Sequence, residues 1–274
     1  MGDEAESDTE RLLGAFTRIA AQAAAAILAM PRPALNQRIK ADCSPVTDAD
    51  TASEAIVLEG LTRLLPGVPV VSEEATGHRP NPDLGSRFLI VDPLDGTREF
   101  MAGRDEFTVN IALIEDGTPV AGVVAAPARG LMWRGWRGRG AERLAFSPGA
   151  PLEKLPKGEP IQSAVQLAST LRVLVSRSHL DAATDAYVDR LLQPQRIPCG
   201  SALKFGLLAE GAADLYPRLA PTSEWDVAAG HAVLLAAGGD VRRPDGSPLR
   251  YGEGDFFVPA FIAYGDGATL PPFP

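Results

Sequence analysis

Histidine and cysteine are the scarcest reactive residues in this 274-residue chain, with three of one and two of the other. There is no Cys-x-x-Cys and no His-Glu-x-x-His, so zinc chemistry lacks its usual ligand sets. Cys43 and Cys199 read as reduced thiols of a cytosolic protein. Lysine is rare as well, found only at positions 40, 154, 157 and 204, and the formal net charge is −9. Such a balance argues against a nucleic-acid polymer as the main partner. An anionic substrate would need local positive charge from metal ions, backbone N–H groups or a few chosen Arg and Lys. Long apolar runs are missing too: the Ala-rich stretch 19–30 has 12 residues, short of the ~20 that cross a bilayer. Asp3, Glu4, Glu6, Asp8 and Glu10 replace the basic start of a secretory signal, so a soluble cytoplasmic protein is expected.

What is present is a large apolar fraction, 45% against 22% charged, enough for a sizeable core. Leu12, Phe16, Ile19, Ala20, Ala23 and Ile27 recur at helical spacing, predicting a helix that ends before Pro31 and Pro33. A second helix is expected after Thr47, stopping at Pro66-Gly67. Strands are expected at 68–71, running into Ser72-Glu73-Glu74, and at 88–91, with a polar loop holding Pro80, Pro82 and Gly85 between them. Residues 107–136 read as an antiparallel meander with turns at Asp116-Gly117 and 128–130. The segment 147–165, with four prolines and two glycines, reads as a connector. Beyond it, LRVLVS (171–176) and the region of Ile197 alternate with the helical runs 201–211 and 225–239, which suggests α/β layering. LPPFP closes the sequence as a tail.

The chemistry centres on Val91-Asp92-Pro93-Leu94-Asp95-Gly96-Thr97. An apolar strand ends at one Asp, Pro fixes a turn, and a second Asp follows at i+3. Two carboxylates and the Leu94 carbonyl there suit a hard cation, Mg²⁺ before Ca²⁺ or Zn²⁺. A helix starting at Gly96 and Thr97 would offer free N–H groups to a phosphate. The bland reading is an N-cap turn with Asp95 satisfying backbone. Glu73 and Glu74 end a strand, Asp226 opens a helical run and Asp50 precedes another; each of these has a simple solvent or capping explanation taken alone. Trp133 and Trp136, with Arg129, Arg134, Arg137, Arg139 and Arg143, read as a hairpin with an exposed edge rather than a nucleic-acid patch.

Together, SEE (72–74), DPLDGT (92–97) and WDVAAG (225–230), in this order, resemble the inositol monophosphatase-like superfamily of metal-dependent, lithium-sensitive phosphatases. Within it, SPVTDAD (44–50), DPLDGTREF (92–100), EFTVNIAL (106–113), SRSH (176–179), SALKF (201–205) and LYPR (215–218) are most similar to the bacterial CysQ-type 3′(2′),5′-bisphosphate nucleotidases. The resemblance implies a layered α-β-α-β-α sandwich of the sugar-phosphatase type. A single catalytic unit would hold an N-terminal α+β lobe (1–150) and a C-terminal α/β lobe (166–274).

It further implies that Glu73, Asp92, Asp95, Asp226 and the Leu94 carbonyl bind two or three Mg²⁺. Asp50 would help hold or orient a further metal or its water, and Thr97 with Glu73 would position the attacking water. Gly96, Thr97, Arg98, His179, Ser201, Lys204, Arg218 and Asp226 would contact the substrate, a nucleotide bisphosphate. Lys204 has a snorkelling helix lysine as its ordinary alternative. Glu99, where inositol phosphatases usually carry Asn, has no firm physical account but points away from inositol. The implied reaction is hydrolysis of adenosine 3′,5′-bisphosphate (PAP), or its sulfated form PAPS, in sulfate assimilation. Inositol monophosphatase or fructose-1,6-bisphosphatase activity on the same fold remains the near alternative. A non-catalytic PAP-binding or partner-binding regulator is the alternative of another class. Peripheral association with the inner membrane face, and monomer against homodimer, stay open.

Overall fold

The computed structural model describes residues 2–30, 38–39, 45–76, 83–150, 157–163 and 170–265. Pro31, Pro33, Lys40, Cys43, Pro80, Pro82, Lys154 and the closing tail lie outside them.

Helix α1 (Gly2–Ala29) buries Phe16, Ala20, Ala23 and Ile27, the stripe its spacing predicts. Its apolar stretch is longer than the 12 residues expected. Asp8–Ala29, 22 residues, is long and apolar enough by composition to cross a membrane, but half of the window is buried against the protein's own core. Helix α2 (Asp48–Leu64) starts where Thr47 and Asp50 form a reciprocal capping box.

Seven strands form the first sheet: β3 (Val70–Ser72), β4 (Arg87–Asp95), β5 (Thr108–Glu115), β6 (Thr118–Ala126), β7 (Leu131–Trp136), β8 (Gly140–Ala145) and β9 (Glu159–Ile161), in that order. Only β3 and β4 are parallel; the rest is the expected meander, extended by two strands. Asp116 and Gly117 turn the first hairpin with φ of 48° and 69°, the left-handed pair of a tight hairpin turn. The expected connector is thus part strand. β9 pairs with β8, and Ser163 donates through N–H and Oγ to the Ala237 carbonyl at 2.8 and 3.0 Å.

Two ribbons, β1 (Arg38–Ile39) with β2 (Pro45–Val46) and β13 (Thr222–Ser223) with β15 (Phe257–Val258), stand apart. The second sheet has the order β11 (Pro194–Cys199), β10 (Leu171–Ser176), β12 (Leu215–Arg218), β16 (Phe261–Tyr264), β14 (Asp240–Arg242). Helix α3 (Thr97–Met101) follows β4, and α4 (Ala182–Asp189), α5 (Leu203–Ala209) and α6 (Glu224–Ala236) complete the set.

Alternation along the strands shows how these pieces stack. In β4, Leu89 and Val91 face the cluster of α1 and α2, while Phe88 and Ile90 face that of α5 and α6. In β10, Leu174 joins the α5–α6 cluster, and Val173 and Val175 pack with Tyr187 and Val188 of α4. The layers are therefore α1/α2, first sheet, α5/α6, second sheet, α4: an α-β-α-β-α sandwich. Close approach of α6 to the first sheet needs Gly122, where a Cβ would stand 2.4 Å from the Ala229 carbonyl oxygen.

The Arg–Trp cluster serves this packing. Trp133 is buried and donates to Glu210 at 2.8 Å; Arg134 pairs with Glu142 at 2.7 Å and Arg143 with Glu159 at 2.9 Å. The exposed hairpin edge expected there is absent, because β9 covers β8.

Candidate active site and metal centre

The first correction at the site concerns β4, which does not end at Asp92. It continues to Asp95 through an irregular register, Asp92 facing Asn110 and Asp95 facing Thr108. Three steps on one strand against two on the other make a bulge, and Pro93, with no N–H, sits inside it. Asp92 Oδ1 accepts the Leu94 N–H at 3.0 Å, and Ser53 Oγ donates to the Pro93 carbonyl at 2.6 Å. Gly96 then turns left-handed, φ 91°, to start α3. A Cβ there would lie 3.0 Å from the Glu106 carbonyl oxygen, so position and conformation both require glycine.

Asp226 arrives from the first turn of α6. It closes a capping box with Ser223 and accepts a short hydrogen bond from Thr222 Oγ1. Capping and metal binding are not rivals here, since a carboxylate has about four lone-pair sites. One oxygen from each of Asp92, Asp95 and Asp226 lies within 4.8 Å of the others. Asp92 Oδ2 is buried with no hydrogen-bond partner among the described residues. Burial pushes Asp92 well above the usual carboxylate range, and Glu73, Asp95 and Asp226 push it further. Burial and Asp226 raise Asp95 to about 7 against the opposing charge of Lys204. Three convergent acids, one with an orphaned oxygen, fit a hard divalent cation and no soft one.

Around them lies a cavity of about 970 Å³. Glu73 lines it and raises Asp92, although it is outside the convergent trio. Asp50 is buried and bonded to Thr97. Its Oδ2 is occupied by Thr47 N–H and Oγ1 at 2.8 and 2.6 Å, and its Oδ1 accepts Thr97 Oγ1 at 2.9 Å. Asp50 thus reaches the site through Thr97, whose hydroxyl also lies 3.2 Å from the Leu94 carbonyl oxygen.

In the same cavity, Arg98 Nη1 lies 3.2 Å from His179 Nε2, which must be the acceptor because guanidinium only donates. Burial, then Arg98 and Arg218, hold His179 below its usual pKa, keeping it neutral. Arg218 also lines the cavity, and its Nε is buried with no hydrogen-bond partner among the described residues. Ser201 takes a left-handed φ of 50°.

Lys204 does not snorkel. It is 3% exposed, donates to the Ser201 and Cys199 carbonyls at 2.6 and 3.3 Å, and lies 5.0 Å from the Tyr216 ring centre. Glu99, unexplained by sequence, is buried and accepts Ser178 Oγ. Glu106 was passed over. Its signal was an acid directly ahead of the apolar run of EFTVNIAL, where a buried charge needs a partner.

Comparison with known proteins accords with this geometry. The 3′(2′),5′-bisphosphate nucleotidase CysQ of Escherichia coli K12 is 44% identical over 219 residues, covering 80% of this chain and 84% of that protein. The protein of that name from Haemophilus influenzae is 31% identical over 268 residues, with 94% of each covered. Among solved structures, CysQ from Bacteroides thetaiotaomicron matches with a TM-score of 0.80 at 33% identity, over 94% of this chain and 98% of its own. Inositol monophosphatase from Anabaena sp. PCC 7120 matches at 0.72 and 27% identity, over 94% and 92%. The model of the inositol monophosphatase family covers residues 8–268, and the chain belongs to that family of metal-dependent phosphatases.

Proposed function

We propose that this chain is a Mg²⁺-dependent 3′(2′),5′-bisphosphate nucleotidase that hydrolyses the 3′-phosphate of PAP, or of PAPS, in sulfate assimilation. One observation carries the reading. The acid trio opens into a cavity of about 970 Å³ that Arg98, His179 and Arg218 also line. A simple monoester needs the first feature; a second phosphate and a base need the space and the cationic wall. The nucleotidases to which the chain is similar act on substrates of that kind by name.

Asp92, Asp95, Asp226, the Leu94 carbonyl and Glu73 would hold the ions. When bound, Mg²⁺ supplies positive charge for the attacking and leaving oxygens and acidifies water. Thr97 donates its hydroxyl hydrogen to Asp50, which leaves its oxygen free to accept a hydrogen from the attacking water and aim it. Glu73 would take one proton of the attacking water as the new O–P bond forms; the P–O3′ bond breaks, and the 3′ oxygen leaves as an alkoxide that takes its proton from solvent water. Ser201, Gly96 and Arg98, which line the cavity, would contact the phosphate that is cleaved, and Arg218 the nucleotide end of the substrate. A cytoplasmic location goes with this reading, in which the free, buried Cys199 needs no oxidising compartment.

Phosphate release measured on PAP, PAPS, inositol 1-phosphate and fructose 1,6-bisphosphate tests it. PAP or PAPS should give the highest kcat/KM. A preference for either sugar phosphate would move the assignment to that substrate.

A further inference from the structure

Glu106 has no part in the chemistry above, yet it touches both sides of the site. Its carboxylate receives two bonds from Arg177, Nε to Oε2 at 2.6 Å and Nη2 to Oε1 at 2.7 Å. Oε2 also accepts the Gly200 N–H at 2.9 Å. The Glu106 carbonyl oxygen lies 3.0 Å from where a Cβ would stand on Gly96, and equally on Gly200. So one residue, 7% exposed, is wedged between the turn after Asp95 and the turn through Ser201. Two residues past Gly200, the Ala202 N–H donates to Asp95 Oδ2 at 2.5 Å.

The neighbours of Arg177 repeat the pattern. Ser178 donates to Glu99, and His179 accepts from Arg98 at 3.2 Å. Three consecutive residues, 177 to 179, are each tied to a residue between 98 and 106. Arg177 Nη2 also donates to the Pro198 carbonyl at 2.7 Å, holding the end of β11 in the same junction.

We infer that Glu106, acting through Arg177 and Gly200, is a positioning residue that docks the substrate-side wall onto the metal side. The segments it fixes, 177–179 and the turn through Gly200, carry His179 and Ser201. Burial pushes the Glu106 carboxyl up, but the hydrogen bonds and charge of Arg177 outweigh it and hold the group ionised. A bidentate guanidinium pair fixes angle as well as distance, which is what a wall built from separate segments needs. The inference deepens the nucleotidase reading and rests on it: a misplaced wall harms a substrate that uses it and spares one that uses only the metal side.

Two variants test it. Glu106→Gln keeps the shape and one acceptor oxygen but loses the charged pair. Arg177→Ala removes a side chain that is 35% exposed, so its folding is the safer of the two. For each, KM for PAP should rise about tenfold with kcat within about threefold, while kcat/KM for p-nitrophenyl phosphate stays within about twofold. Arg177→Lys, which keeps charge without the fork, should recover part of the KM. Equal losses on both substrates, a loss in kcat alone, or a wild-type KM in Arg177→Ala would overturn the docking role. Failure of the nucleotidase reading looks different. It shows in the wild type alone, as equal kcat/KM for PAP and p-nitrophenyl phosphate, and the variants are then judged by KM on whichever substrate the wild type binds best.

Discussion

The two sides of the cavity are assembled in opposite ways. On the metal side, Asp92, Leu94, Asp95, Gly96 and Thr97 fall within six consecutive residues, and one bulge with one left-handed glycine aims them. On the proposed substrate side, Arg98, His179, Ser201 and Arg218 come from four segments brought together by the fold. Covalent geometry sets the 92–97 part of the first, to which α6 adds Asp226; tertiary docking sets the whole of the second. The metal side should therefore tolerate changes far away and fail on changes within it. The other side should respond in graded fashion to residues that never meet the substrate.

The largest effect belongs to the metal side. Asp95→Asn keeps the shape and the Ala202 bond but removes a ligand charge. It should lower kcat by about 10³-fold or more, with the circular dichroism of the fold unchanged. Chelation should abolish wild-type turnover and Mg²⁺ restore it, whereas excess Ca²⁺, larger and looser in geometry, should inhibit. Near-normal kcat in Asp95→Asn at saturating Mg²⁺ would reduce that residue to a cap and erase the contrast between the two sides.

Lys204 sharpens the boundary, and its expected effect is smaller. Its ammonium is held by two carbonyls and offsets the charge of Asp95, which puts it beneath the metal side although it belongs to a substrate-side helix. Lys204→Ala leaves those carbonyls unmatched, a cost of about 1–3 kcal/mol in stability, and removes the charge beside Asp95, which should lower kcat/KM roughly tenfold. The loss should be equal on PAP and inositol 1-phosphate. Arg218→Ala should weaken PAP by about tenfold or more and leave inositol 1-phosphate within about twofold. A PAP-selective loss at Lys204 would return that residue to the substrate.

What the sequence made legible follows the same division. DPLDGT could be read because its candidate ligands are neighbours, and the helices α2 and α6 because Thr47 precedes the one and Asp226 opens the other. The order of layers comes from the family resemblance; the alternation of strands and helices along the chain suggests α/β layering only. Three things could not be read. That β4 continues past Asp92 depends on its pairing with Asn110 and Thr108. That residues 159–161 form an edge strand depends on a partner in β8. That Asp50 serves Thr97 depends on a contact across 47 positions of chain. Local patterns carry no information about such partners, and so they give Glu106 no role and leave Lys204 with a solvent-facing alternative that its burial removes.

The smallest expected effect concerns the docking pair and pH. In the folded protein Glu106 titrates below its ordinary value, because Arg177 outweighs the cost of burial. A carboxyl with a depressed folded pKa contributes stability that is fully present above its unfolded value, about 4.3, and lost as pH falls through the folded one. Glu106→Gln carries no such titration. Its melting temperature should therefore lie a few degrees below that of the wild type at pH 7, on the order of 3 °C. The gap should begin to close below about pH 4 and vanish once the wild-type carboxyl is protonated. Differential scanning calorimetry of the two proteins between pH 3 and pH 7 reads this directly. A gap that stays constant over the range would mean that Gln costs packing alone. The wall would then be held by shape rather than by charge, and the contrast between a covalently set side and a docked side would lose its electrostatic part.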